Sequence, residues 1–135
     1  MVICAEMYEA KLKSEDLKYT VRPLENDGAC ISVMFNMVLT NAFFQGDDNG
    51  THVAFRTQFE KVPAEKTADM LVICNALNMR YRWLKFYIDK DNDIMIEDDA
   101  ILTPETAGEE CFELLIRTVK IIDEIKPLIM KTLYA

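Results

Sequence analysis

Glycine is scarce in this sequence, with four residues in 135. Phosphate-cradling loops are built on glycine, and none of G-x-x-x-x-G-K-[ST], G-x-G-x-x-G or G-x-S-x-G occurs. Histidine is scarcer still: His52 stands alone, so a catalytic imidazole would lack any partner visible in sequence. Cations are outnumbered, 15 Lys and Arg against 23 Asp and Glu, for a net charge of −8. That balance argues against nucleic acid or an anionic membrane as partner, since both need clustered cations. No apolar run approaches the ~18 residues that a membrane-crossing helix requires. Met1 to Lys13 includes Glu6 and Glu9 and shows no basic start followed by an apolar block, so no signal peptide is expected. The four cysteines, Cys4, Cys30, Cys74 and Cys111, form no C-x-x-C pair, which excludes the usual zinc spacing. Each has an apolar neighbour, and four reduced core thiols in a cytoplasmic protein are the expectation. No catalytic residue, cofactor or metal is expected.

What is present is a hydrophobic half: 50% of residues are apolar, enough for one core and too many for disorder. The length fits a single domain over residues 1–135. Helix formers from Val2 to Lys13 put Ile3, Met7 and Ala10 on one face. Tyr19 to Glu25 alternates, and Pro23 demotes it to an edge strand or a strand end. Asn26-Asp27-Gly28 is a turn, because these residues tolerate a left-handed backbone. In the nearly all-apolar stretch Ala29 to Phe44, Ser32, Asn36 and Thr40 would suit the polar stripe of a buried helix. Its β-branched content instead favours two strands, Ala29 to Asn36 and Val38 to Gln45, with a tight turn near Asn36. Gly46 to Gly50 reads as a loop. Thr51 to Lys61 then alternates as a half-buried strand with Val53, Phe55, Thr57 and Phe59 inward.

Pro63 opens a helix whose apolar face is Met70, Ile73, Cys74 and Leu77, ending near Asn78, with Asn75 and Asn78 as end caps. Arg82 to Asp89 and Ile94 to Asp98 make a hairpin around Lys90-Asp91-Asn92. Thr106 and Glu109 have capping-box spacing, and the helix they start buries Cys111, Leu115, Val119, Ile122 and Ile129. Pro127 must kink or restart it on its way to Tyr134. Helix, four strands, helix, hairpin, helix is an α+β order: a twisted antiparallel sheet with helices packed on one face.

The chemical candidates have plainer explanations. Asp89, Asp91 and Asp93 start like a calcium loop, but Ile94 stands where glycine belongs and Ala100 where glutamate belongs. A charged hairpin tip accounts for them. Glu97, Asp98 and Asp99 read as a strand end entering a loop, and Glu109, Glu110 and Glu113 as acids favouring a helix N-terminus. Alternation through the hairpin places Leu84, Phe86 and Ile88 on one face and Trp83, Lys85 and Tyr87 on the other. The second set is either an interface on the open side of the sheet or a layer covered within the monomer.

Four segments, Lys61-Val62-Pro63, Asn75 to Asn78, Arg82-Trp83-x-Lys85-Phe86-Tyr87 and Ala107-Gly108-Glu109-Glu110-Cys111, resemble the YbjN-like family, labelled in bacteria as sensory transduction regulators. The resemblance runs from about Gly46 to Ala135. It implies a fold similar to type III secretion chaperones, often dimeric, and carries no catalytic motif. Secretion does not follow, because fold does not imply function. The function it implies is a non-enzymatic protein-interaction or regulatory module, acting as a homodimer on an unidentified protein partner. An acidic surface suits a basic or amphipathic segment, added as a strand at a sheet edge or laid as a helix in a groove. The alternative is a small-ligand sensor with an apolar pocket of Phe, Met and Cys between sheet and helices.

Overall fold

The chain forms α1 (Ile3–Ser14), β1 (Tyr19–Pro23), β2 (Ala29–Phe35), β3 (Val38–Asp47), β4 (Gly50–Lys61), α2 (Thr67–Arg80), β5 (Lys85–Ile88), β6 (Asp93–Leu102) and α3 (Ala107–Leu133). The computed structural model describes residues 1–47 and 50–135. Asn and Asp chemistry sets the turns of the first half. Asn26 and Asp27 take φ of 54° and 61° between β1 and β2, and Asn36 and Met37 take 53° and 67° between β2 and β3. Asn36 and Met37 alone link the paired Phe35 and Val38, and two consecutive left-handed residues are the type I′ form of such a two-residue hairpin. The apolar stretch therefore folds as two strands, as its β-branched content implied.

The six strands form one antiparallel sheet in the order β1-β2-β3-β4-β6-β5. Its pleat sends Ile31, Val33, Ala42, Phe44, Val53, Phe55, Ile94 and Ile96 to the side that the helices cover, where all are buried. Helix α3 is about 40 Å long at 1.5 Å per residue and serves two clusters. Cys111, Leu115 and Val119 pack with α1 and the middle strands. Ile122, Ile125, Ile129 and Leu133 pack with α2, Phe86, Ile94 and Ile96. The four cysteines are all free and buried.

Several local expectations are corrected. The buried face of α1 is Cys4, Ala5, Tyr8 and Leu12, whereas Ile3 and Met7 are exposed at 53% and 39%. Tyr8 decides this by lodging its ring 5.7 Å from that of Phe44 and 5.9 Å from that of Phe55. Of the expected loop, Gly46 and Asp47 belong to β3 and Gly50 to β4, while Asp48 and Asn49 lie outside the described residues. Helix α2 follows a 3-10 turn at Ala64–Lys66 and runs on to Arg80, two residues past Asn78, so the hairpin strand starts at Lys85 rather than Arg82. Thr106 makes no side-chain cap; its hydroxyl lies 3.2 Å from that of Thr103, and Glu109 pairs with Lys11 instead. Helix α3 continues through Pro127 without a restart.

The largest correction concerns β6. It was expected to end at Asp98 but extends to Leu102, pairing with β4 from Asp93 to Leu102. The acid cluster therefore lies inside the sheet instead of entering a loop.

Candidate binding surface

Among the described residues, no helix lies on the second face of the sheet. Cross-strand register lays out Thr20, Ser32, Asn41, Arg56, Glu97 and Lys85 as one row across all six strands. Glu97 is its anchor, only 5% exposed. Arg56 Nε lies 2.9 Å from Glu97 and Lys85 Nζ 3.8 Å, and the Tyr87 hydroxyl donates to the same carboxylate at 3.0 Å. Arg56 also reaches Asp99 at 2.7 Å. Burial, followed by the bond to Glu97, pushes the Tyr87 phenol up from its ordinary value. Apolar side chains flank this polar row. Met34, Leu39 and Ile101 are exposed at 60%, 47% and 89%, with Phe43 and Ala54 half-buried between the two ends. An apolar surface that continues across a sheet face, as Phe43 and Ala54 continue it here, marks a place where another molecule can pack.

The two edges of the sheet differ. At β5, Asn78 of α2 substitutes for a neighbouring strand: its side-chain amide donates to the Phe86 carbonyl at 2.9 Å and accepts from the Phe86 N–H at 2.8 Å. Asn78 is therefore not a helix cap, and Tyr81 leaves α2 at φ −102°, without a left-handed exit. This edge is sealed at its centre. Replacing Asn78 with Ala should cost about 1–2 kcal/mol, one net hydrogen bond or two. It should also speed amide exchange at Phe86 specifically, which exchange-detected NMR would read.

At β1 the edge is open. The Leu24 N–H donates to Gly28 across the β1–β2 turn. Strand alternation then turns the backbone groups of Arg22 and Thr20 towards β2, and those of Val21 and Tyr19 outward. Pro23, also on the outward set, has no N–H to offer and shortens the edge. Four of the five β1 residues are exposed, Val21 at 40%.

A groove of about 460 Å³ lies between Trp83 and α3. Leu114 and Ala100 give it an apolar floor, and Glu109, Glu110 and Glu113 stand around it. Trp83 was expected on one face with Lys85 and Tyr87, yet it precedes β5 in a bend, with the Arg117 guanidinium 5.6 Å from its ring centroid. The three residues do not gather: Lys85 and Tyr87 meet at Glu97, and Trp83 belongs to the groove.

Other candidates fall into structural positions. His52 is exposed on β4. Asp89 accepts from the Asp91 and Asp93 N–H groups and so shapes the hairpin turn, in which Asn92 is left-handed at φ 63°. Burial raises the thiols of Cys4, Cys74 and Cys111, the reverse of what a reactive cysteine needs. Asp98, which the sequence placed in a loop, is 6% exposed on the helix-covered face, and neither carboxyl oxygen has a hydrogen-bond partner among the described residues.

Helices on one face of a six-stranded antiparallel sheet, with the other face bare, define a fold shared with type III secretion chaperones. The crystal structure of the Yersinia pestis chaperone SycH, solved in complex with a stable fragment of YscM2, matches with a TM-score of 0.56. The match covers 87% of this chain and 94% of that one at 12% identity, a likeness of fold alone. The chain belongs to the YbjN family, described as "Putative bacterial sensory transduction regulator", whose sequence model matches residues 5–124. No curated protein sequence matches it. Among the described residues, no helix is long and apolar enough to cross a membrane.

Proposed function

We propose that this protein is a non-enzymatic, cytoplasmic binding module that receives an extended segment of a protein partner as an added strand on β1. The observation that carries this is the asymmetry of the sheet: one edge is occupied by Asn78, while at the other, alternation from the Leu24–Gly28 bond turns the backbone groups of Val21 and Tyr19 away from β2. Strand addition draws its affinity from such main-chain groups. The fold likeness to a chaperone solved with a protein fragment, and the family's label as a regulator, agree with a partner-binding role. The bare face, with Met34, Leu39 and Ile101 uncovered, is the surface that a second copy would bury, giving a homodimer.

A small-ligand sensor needs an apolar chamber between sheet and helices. The groove beside α3 is walled by glutamates, Trp83 and Leu114 rather than by Phe, Met and Cys, so its chemistry favours a charged chain segment.

Light scattering should give twice the 15.6 kDa chain mass, and Leu39→Glu with Ile101→Glu should return the monomer with an unchanged fold. Val21→Pro removes an outward N–H without touching the ladder to β2. It should lower recovery of the native partner roughly tenfold, the equivalent of one good hydrogen bond. Undiminished recovery would remove β1 as the docking edge.

A further inference from the structure

We propose that the groove at Trp83 binds a basic, amphipathic segment of the protein partner, seating an arginine or lysine on the indole and an adjacent apolar side chain on Leu114 and Ala100. The proposal rests on the protein-binding reading above and adds the chemistry of the bound segment. Three observations carry it. The groove has room for several side chains, about 460 Å³, and its floor is apolar. Trp83 is half exposed at 51%, an unusual position for the one tryptophan of the chain unless something packs on it.

The protein also displays the complementary chemistry in its own side chains. Arg117 lies over the Trp83 ring at 5.6 Å and pairs with Glu113 at 3.0 Å, an intramolecular copy of a cation held between an indole and a carboxylate. Both pairs are solvent-exposed, and exposed ion pairs are weak enough to exchange for a partner's cation. Glu109 is engaged by Lys11 at 3.1 Å. Glu110 has no ion pair among the described residues and is the free carboxylate of the rim. The chain's net charge of −8 favours approach of a basic segment over an acidic one.

Because Trp83 is the only tryptophan, emission excited beyond the tyrosine absorption band reports this groove alone. The probe is a short synthetic helical peptide of arginine and leucine, with a control in which glutamate replaces each arginine. The arginine peptide should change Trp83 emission saturably, and the control should not. Glu110→Lys should weaken the arginine peptide on the order of tenfold, with Glu110→Gln intermediate, and added salt should weaken it further. A melting curve for each variant confirms that the fold survives. Val21→Pro should leave this titration unchanged, so failure of the groove and failure of the strand edge are separable. Absence of a saturable change, an equal response to the glutamate peptide, or indifference to both Glu110 substitutions would overturn the proposal.

Discussion

Asp98→Asn should make this protein more stable at pH 8, by about 2–3 kcal/mol, and should flatten part of its stability profile between pH 4 and pH 7. Asp98 sits on the helix-covered face of β6, 6% exposed, with the Thr118 hydroxyl nearby but no described residue within hydrogen-bond geometry of either oxygen. Burial, reinforced by the charge of Asp99, lifts its carboxyl from 3.8 to about 7, against the opposing pull of Thr118 and Arg56. The Tyr8 phenol and Cys111 thiol beside it are themselves pushed up by burial and bring no charge to its aid.

A carboxyl raised on folding binds its proton more tightly in the native state. The stability it contributes is fully present below pH 3.8 and is lost as pH rises through about 7. Three units at 1.36 kcal/mol each bound the loss at about 4 kcal/mol. Asparagine removes the titration but keeps a buried polar group, which is why the gain should fall short of that bound. Chemical denaturation of both proteins at pH 5 and pH 8 checks this. Equal differences at the two pH values would mean that Asp98 reaches water in solution.

Gly108→Val should cost about 3 kcal/mol, the upper part of the range for forcing atoms into a packed contact. A Cβ at Gly108 would come within 2.9 Å of the Met7 carbonyl oxygen and 3.5 Å of the Lys11 Cβ. The crowding is with backbone, so α1 itself must move. That displacement would disturb the Lys11–Glu109 ion pair and the lodging of Tyr8 against Phe44 and Phe55. Alanine is the better helix former by up to about 1 kcal/mol, yet Gly108→Ala should still lose stability, because the clash outweighs that gain. Thermal melts of the two variants should rank wild type above Ala and Ala above Val. A stabilised Gly108→Ala protein would show that α1 and α3 stand further apart than this geometry has them.

The element order could be read from the sequence because local chemistry dictates it. Asn26-Asp27 and Asn36 permit left-handed turns, and period-two alternation from Val53 to Thr57 marks a strand whatever surrounds it. The face of α1 could not be read. Ile3, Met7 and Ala10 compete with Cys4, Tyr8 and Leu12 at equally helical spacing, and only the aromatic neighbours on β3 and β4 decide between them.

The burial of Glu97 and Asp98 was hidden for a similar reason. Three successive acids look like a loop until a ten-residue ladder to β4, some forty positions earlier, draws them into the sheet. The site was less legible than the fold. Asn78 looks like a helix cap until β5 is known to pass beside it, and Trp83 parts from Lys85 and Tyr87 because α2 runs past Asn78 and delays the strand.

If β1 is the edge through which this module takes a partner strand, residue-resolved amide exchange at Val21 will register the added strand. Phe86, already bonded to Asn78, provides an internal reference. In the free chain the Val21 N–H should exchange quickly and that of Phe86 slowly. In the complex purified from the native host, Val21 should become as slow as Phe86 while Phe86 stays unchanged. A Val21 amide that exchanges as fast with the partner bound as without it would mean that the partner docks elsewhere than on β1.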